Sequence, residues 1–293
     1  MDRFILGELA AALPKRDNLQ ALCSTDFPDA EFDLVALPTV ASGEAELTRE
    51  LLHAGYHHLR HEGELWVSSD NARDRWLGEI VRELSNHVER KATKQAAAYR
   101  VKKIKPLKKL KNYACEIVFR DGEKLLKALS RPGVFSHRKV DPGCRQILNA
   151  MTITPGMRVL DLGCGSGALS IAAAARAEGI TVHAIDSHAR AIECLQRGAE
   201  LNGLTNITTE LSSDLHLTGQ TPFDLVLANP PYYSHFEIAR KFLLAARGAL
   251  RRGGELLLVT KSPTWYEEHA GEWFRDLEIT PSKDYYLVRG KRP

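Results

Sequence analysis

The sequence predicts an α/β fold: an open, mostly parallel sheet in the C-terminal half, preceded by a truncated copy of the same architecture. Three observations predict it. From residue 158 onward, short apolar runs alternate with helical stretches, as in a sheet covered on both faces. The first of these runs opens into Gly163-Cys164-Gly165-Ser166-Gly167, with a helix-forming stretch directly behind it. Finally, residues 32–65 align without a gap on residues 223–256, with thirteen identities in 34 positions.

Each copy of the repeat reads as strand, loop, helix, glycine turn, strand. FDLVALPTV in the first faces FDLVLANPP in the second, and identical pairs include Asp33/Asp224, Arg60/Arg251, Gly63/Gly254 and Glu64/Glu255. The copies differ where ligands of open α/β sheets bind, beyond the strand ends. Pro38-Thr39-Val40 stands where the second copy has Asn229-Pro230-Pro231, and no glycine-rich loop precedes the first copy. The N-terminal copy therefore reads as truncated and chemically silent. Asn71–His87 is expected as a helix and Tyr113–Arg120 as a strand, closing a first domain of residues 1–130. Residues 131–156 connect to the second domain, 131–293, with a short helix expected at Arg145–Met151.

Composition bounds the function. The 293 residues are 44% hydrophobic and 26% charged, ordinary for a water-soluble domain. No apolar run approaches the roughly 18–20 residues of a membrane span, so no membrane partner is expected. The opening MDRFILGELAAALPKR carries Glu8 inside its apolar stretch and does not read as a signal peptide. Five scattered cysteines without a CxxC point to free thiols in a reducing cytoplasm. His53, His57 and His61 recur every four residues but bring no cysteine or acid with them, so no metal is expected.

Residues 90–111 hold ten Lys or Arg and no Asp or Glu. A one-sign run of that density attracts polyanions through counterion release. Lys102, Lys103, Lys105, Lys108, Lys109 and Lys111 are the candidate RNA-binding residues, and Tyr99 and Tyr113 flank the run as candidate stacking partners.

The glycine turn follows the strand Arg158–Leu162. Glycines there let the chain bend tightly and approach a ligand, and the next helix offers free N–H groups. The strand Thr181–Ile185 ends in Asp186, whose carboxylate can accept both hydroxyls of a ribose. Gly163-x-Gly165-x-x-Ala168 also satisfies the dinucleotide fingerprint, so the loop alone admits NAD or FAD as well as a methyl donor. Asp161, just ahead of the glycines, favours the donor, because an acid there can meet its ammonium through water.

Asn229-Pro230-Pro231-Tyr232 ends the strand FDLVLA. An exocyclic or amide NH₂ is a poor nucleophile because its lone pair is delocalised. The Asn229 side-chain oxygen and the Pro230 carbonyl can accept its two N–H bonds and aim the lone pair, so the gain is positional. The prolines stiffen the loop, and Tyr232 can stack on a planar substrate.

DLGCGSG, Asp186, Asp214 and NPPY resemble the Rossmann-like class I methyltransferases, with their seven-stranded, mostly parallel sheet. More narrowly, Pro132-Gly133-Val134-Phe135-Ser136 with Asp141-x-Gly143 resembles the bacterial ribosomal RNA guanine-N2 methyltransferases. That family also places a degenerate methyltransferase-like domain ahead of an active one. The resemblance implies S-adenosylmethionine as cofactor. Asp161, Gly163, Cys164, Gly165 and Gly167 would line its methionine end. Asp186, with Ser187 beside it, would take the ribose, and Asp214 the adenine amine. Phe135 and Ser136 would border the donor pocket, and Asn229 to Tyr232 would hold the base. Ribosomal RNA or a ribosomal subunit is the implied partner of a cytoplasmic monomer. Two features depart from the family: Tyr232 stands where Phe is frequent, and the N-terminal domain is short. A protein-glutamine N5-methyltransferase, an adenine-N6 methyltransferase and a catalytically idle RNA-binding factor stay open as alternatives.

Overall fold

A computed structural model describes residues 2–12, 17–215, 217, 222–231 and 236–293, save the side chains of Phe4, Leu9 and Ala10. The chain divides into two compact units, Asp26–Ala114, and Met1–Thr25 with Cys115–Pro293. In chain order, α1 (Arg3–Ala12) precedes the smaller unit. That unit holds β1 (Phe32–Thr39), α2 (Ala45–His57), β2 (Leu59–Ser69), α3 (Arg75–Leu84), β3 (Val88–Ala92) and β4 (Ala97–Lys102). The larger unit continues with β5 (Cys115–Asp121), β6 (Lys124–Ser130), α4 (Pro142–Ala150), β7 (Arg158–Leu162), α5 (Ala168–Arg176) and β8 (Thr181–Asp186). It ends with α6 (Ala189–Leu201), β9 (Ile207–Leu211), β10 (Phe223–Ala228), α7 (Glu237–Ala249), β11 (Leu250–Thr260), α8 (Pro263–His269), β12 (Arg275–Ser282) and β13 (Tyr285–Lys291).

The larger unit is built on a seven-stranded sheet of order β12-β13-β11-β10-β7-β8-β9. The strands from β11 to β9 run parallel, and β13 and β12 pair antiparallel. On one face, Val159, Leu225, Leu227, Leu257 and Val259 pack with Ile147 and Leu148 of α4 and with α5. On the other, Leu160, Leu162, Val226, Leu256 and Leu258 pack with Phe242 and Leu243 of α7 and Tyr266 of α8. Such double coverage is why these strands read as continuous apolar runs. The expected division at residue 130 falls instead after Ala114. The physical reason is the β5–β6 hairpin, whose Ile117, Phe119, Leu126 and Ala128 belong to the larger unit's core. The first 25 residues join the same unit: Arg3 N–H donates to the Ser187 carbonyl at 2.7 Å.

The smaller unit is a four-stranded sheet of order β1-β2-β4-β3. Helices α2 and α3 cover one face over Val35, Leu65, Val67, Tyr99 and Val101. Asp74 caps α3 by accepting the Leu77 N–H at 3.0 Å, which is why the helix starts four residues later than Asn71. The repeat holds in register. Phe32 faces Leu59 and Leu34 faces Glu64 across a break, as Phe223 faces Leu250 and Leu225 faces Glu255. Ion pairs repeat as well. Arg60 meets Asp33 at 2.9 Å as Arg251 meets Asp224 at 2.5 Å, and Arg100 meets Glu64 as Arg289 meets Glu255. Lys103 Nζ donates to the carbonyls of His57 and Leu59, and Arg292 donates to those of Gly248 and Leu250. The likeness thus runs past residue 65 into β4, the counterpart of β13. The smaller unit repeats the β10–β13 half of the large sheet, and among the described residues it has no counterpart of β7, β8 and β9.

Candidate active site

Strands β7, β8 and β10 end side by side: Asp161 lies opposite Ala184 on one flank and Leu227 on the other. The glycine turn, Asp186 and Asn229 therefore share the carboxyl edge of the sheet, where ligands of such sheets bind.

Gly163, Gly165 and Gly167 have φ of +73°, +54° and +81°, a region that disfavours any side chain. The turn is pinned to β8. Gly163 and Cys164 N–H donate to the Ile185 carbonyl at 2.8 and 3.0 Å, and Gly165 N–H donates to Asp186 Oδ2 at 2.8 Å. A Cβ on Gly167 would sit 3.0 Å from Leu195 Cβ, whereas one on Gly165 would meet nothing within 4 Å. Gly165 is thus where the turn faces open space. Asp186 Oδ1 accepts from His188 N–H at 2.8 Å; burial raises this carboxyl's pKa and the backbone donors oppose the rise.

Asp161 is buried, and its Oδ2 accepts the Ser170 hydroxyl at 2.6 Å. Its Oδ1 is buried with no hydrogen-bond partner. Burial pushes its pKa up to about 7, and the nearby Asp186 adds to the rise. An orphaned buried acceptor is costly. A hydrogen-bond donor is what this oxygen lacks.

Asn229 follows β10 directly, and its Nδ2 donates to Asp141 Oδ1 at 2.9 Å and contacts Cys144 Sγ at 3.4 Å. A carboxylate only accepts, so the amide nitrogen must face Asp141 and Oδ1 is the acceptor end of the Asn229 side chain. Asp141 is itself fixed, because its Oδ1 caps α4 by accepting the Gly143 and Cys144 N–H groups at 2.8 and 3.1 Å. Pro230 is buried and Pro231 half-buried. Tyr232 lies outside the described residues. Asp141, Cys144 and Ser170 are the residues that the sequence did not place in the site. Asp-Pro-Gly is a helix-start signal, and it marks Asp141; nothing in the alanine-rich α5 marks Ser170.

The methyltransferase small domain family matches residues 126–289. The chain belongs to that family. It is similar to the ribosomal RNA small subunit methyltransferase C of Chromohalobacter salexigens, 33% identical over 175 residues, 56% of this chain and 51% of that protein. The Haemophilus influenzae protein of the same name is 30% identical over 167 residues, 56% of this chain and 50% of its own length. The chain spans about half the length of the curated relatives it matches. Among solved structures it is similar to a T. thermophilus 16S rRNA N2 methyltransferase in complex with AdoMet and guanosine. Identity there is 26%, the match covers 90% of this chain and 74% of that one, and the TM-score is 0.80. The fold is the Rossmann-like class I methyltransferase fold.

Within this methyltransferase domain the other expected residues have varied surroundings. The segment before α4 is tied to α6: Arg190 Nη1 donates to the Pro132 carbonyl at 2.9 Å, and Val134 packs with Ala191 and Cys194. Beyond it, Phe135 is 62% exposed, and Ser136 Oγ donates to the Lys139 carbonyl at 3.2 Å. Ser187 Oγ donates to Asp2 Oδ2 at 3.0 Å. Asp214 is exposed beyond β9 and accepts from Ser212 Oγ at 2.7 Å. Cys164 is buried, which raises its thiol well above the ordinary range; it is small rather than reactive.

In the smaller unit the basic run separates into two kinds of lysine. Lys102 pairs with Glu62 at 3.0 Å and Lys103 closes backbone carbonyls, whereas Lys105, Lys108, Lys109 and Lys111 are exposed. Tyr99 is not a stacking residue. It is 2% exposed beneath α3 and its hydroxyl donates to the Asp74 carbonyl at 3.1 Å, because strand alternation turns it inward and Arg100 outward. His53 is buried, and no cluster of metal-binding residues occurs among the described residues.

Proposed function

We propose that this chain transfers a methyl group from S-adenosylmethionine to the exocyclic N2 amine of a guanine in ribosomal RNA. The observation that carries this is the hydrogen bond from Asn229 to Asp141, which fixes the side-chain amide at the sheet edge that also carries the glycine turn. The names of the similar proteins, and the AdoMet and guanosine held by the T. thermophilus structure, support the same choice of donor and base.

The residues fit the donor. The orphaned Asp161 Oδ1 suits its ammonium, directly or through water. The open side of Gly165 suits close backbone approach. Asp186 keeps lone pairs for ribose hydroxyls beside the two N–H bonds it accepts, and Asp214 suits the adenine amine. When bound, S-adenosylmethionine supplies an electrophilic methyl carbon. Asn229 Oδ1 and the Pro230 carbonyl accept the two N–H bonds of the guanine amine and direct its lone pair outward. Transfer would form the N–C bond at the expense of the donor's S–C bond, and Asn229 and Pro230 would hold the amine throughout. The proton displaced from the nitrogen would pass to water, since amide oxygens are too weakly basic to keep it. No strong general base is needed, because positioning supplies the gain. Lys105, Lys108, Lys109 and Lys111 hold the RNA backbone, giving register rather than sequence readout.

Calorimetric titration with S-adenosylmethionine, paired with labelled transfer to rRNA, tests the assignment. Asp186→Ala should weaken donor binding at least about tenfold, the loss of roughly one charged hydrogen bond. Asn229→Ala should bind donor as the parent does and lose about 100-fold in transfer rate. Unchanged transfer in Asn229→Ala would refute the positioning role.

A further inference from the structure

The smaller unit leaves one face of its sheet uncovered, and that face is built differently from its covered counterpart. Directly paired residues share a face. Leu34, Ala36 and Pro38 of β1 therefore lie with Glu64, Trp66 and Ser68 of β2, with Ala98, Arg100 and Lys102 of β4, and with Glu89 and Lys91 of β3. None of these residues is buried; Leu34 is 55% and Trp66 41% exposed. The repeat shows what such a face normally carries. Leu225, Leu227, Leu257, Val259 and Leu287 stand at the positions of Leu34, Ala36, Trp66, Ser68 and Ala98, and they are sealed under α4. In the smaller unit Leu34 keeps its leucine but is exposed, three of the sealed residues become Ala36, Ser68 and Ala98, and the indole of Trp66 replaces Leu257.

We propose that this face is a stacking platform for single-stranded RNA, with Trp66 as the base-stacking residue and Lys91, Arg100 and Lys102 as phosphate contacts. The geometry favours a base over an apolar partner. Trp66 Nε1 donates to Glu64 at 2.9 Å, which fixes the indole and leaves its ring toward solvent. Arg100 lies directly opposite it on β4, braced by Glu64 and, at 3.4 Å, by Glu89. Lys91 sits exposed on the adjacent strand with no ion pair among the described residues, and a shallow pocket is lined by Trp66, Ala98, Lys91 and Arg100. Three carboxylates, Glu62, Glu64 and Glu89, thus stand against Lys102, Arg100 and Lys91, with Lys102 paired to Glu62 at 3.0 Å and Arg100 to Glu64 and Glu89. An aromatic ring beside these cations is complementary to a base and its phosphates. A four-stranded sheet backed by helices on one face and bare on the other is also how one widespread class of RNA-binding domain presents its aromatic residues. The choice of RNA as polyanion rests on the methyltransferase reading above.

The test is binding of a twelve-nucleotide single-stranded RNA of mixed sequence to the full chain, without donor, by fluorescence anisotropy. Trp66→Ala should weaken binding about fivefold or more, as loss of one stacked base does. Trp66→Phe should stay within about twofold because a ring is kept, yet it should abolish most RNA-induced quenching of tryptophan fluorescence. Lys91→Glu should weaken binding at low salt and less at high salt. Circular dichroism and S-adenosylmethionine binding should be unchanged in all three, since no altered residue is buried. Affinity within twofold of the parent in Trp66→Ala would overturn the proposal. So would a sedimentation profile in which Trp66→Ala abolishes self-association while RNA affinity is kept. Because binding is read without turnover, failure of rRNA methylation and failure of the platform are separate results.

Discussion

In the proposed reaction the orientation of the Asn229 amide is set by Asp141, which holds its nitrogen at 2.9 Å. Asp141→Asn should keep the α4 cap, since Asn caps as well as Asp, while freeing the Asn229 amide to flip. Unfolding free energy should then stay within about 0.5 kcal/mol, and the transfer rate should fall about tenfold from lost positioning. Asp141→Ala should lose both, with about 0.5–2 kcal/mol of stability lost from the cap. Denaturant unfolding beside single-turnover rates separates the two effects. Asp161 makes a pH prediction. Its carboxyl rises from 3.8 to about 7 in the folded chain, so between those values the native state holds more protons than the unfolded one. Stability from this group is complete below the unfolded pKa and is lost as pH rises through about 7. Melting curves of the donor-free protein should therefore fall from pH 5 to 8, and Asp161→Asn should flatten that fall. Saturating donor should flatten it too, by setting a cation against the ionised carboxylate.

Among the elements, the glycine turn was legible because three closely spaced glycines have few other uses, and all three adopt positive φ. Gly167→Ala tests how much the turn depends on them. The added methyl is disfavoured by φ of +81° and by Leu195, and should cost about 1–3 kcal/mol in denaturant unfolding while weakening donor binding. The repeat was legible too, and its register and ion pairs hold residue by residue. Less legible was the β5–β6 hairpin. Alternation marks Cys115–Asp121 as a strand, but local pattern cannot say which core receives Ile117 and Phe119. The same limit applies to Tyr99 and Trp66. Both are aromatic residues on strands, and only the pairing of β2 with β4 shows that one faces α3 and the other solvent. Asp141 carried a capping signal, but its contact with Asn229 spans 88 residues, which no local pattern reports.

At the scale of the whole molecule, one unit carries the turn, the acids and Asn229, while the other repeats half of that fold without them. Pro38 stands at the position of Asn229, so the smaller unit cannot grip an amine in the same way; charge is what it adds. Replacing Lys105, Lys108, Lys109 and Lys111 with Gln should weaken rRNA binding and reduce the slope of log affinity against log salt by about 3, if each lysine meets one single-stranded phosphate. Donor affinity should not move. An unchanged slope would place the RNA contacts elsewhere. The chemical identity of the product distinguishes guanine-N2 transfer from every other reaction this fold could carry. The protein should be incubated with labelled S-adenosylmethionine and unmodified small- and large-subunit rRNA, free and in particles, beside Asn229→Ala, and the RNA digested to nucleosides for mass spectrometry. Label recovered as N2-methylguanosine, and lost in the variant, is the predicted result. Donor binding without label in any rRNA, or label on adenine, would contradict the account.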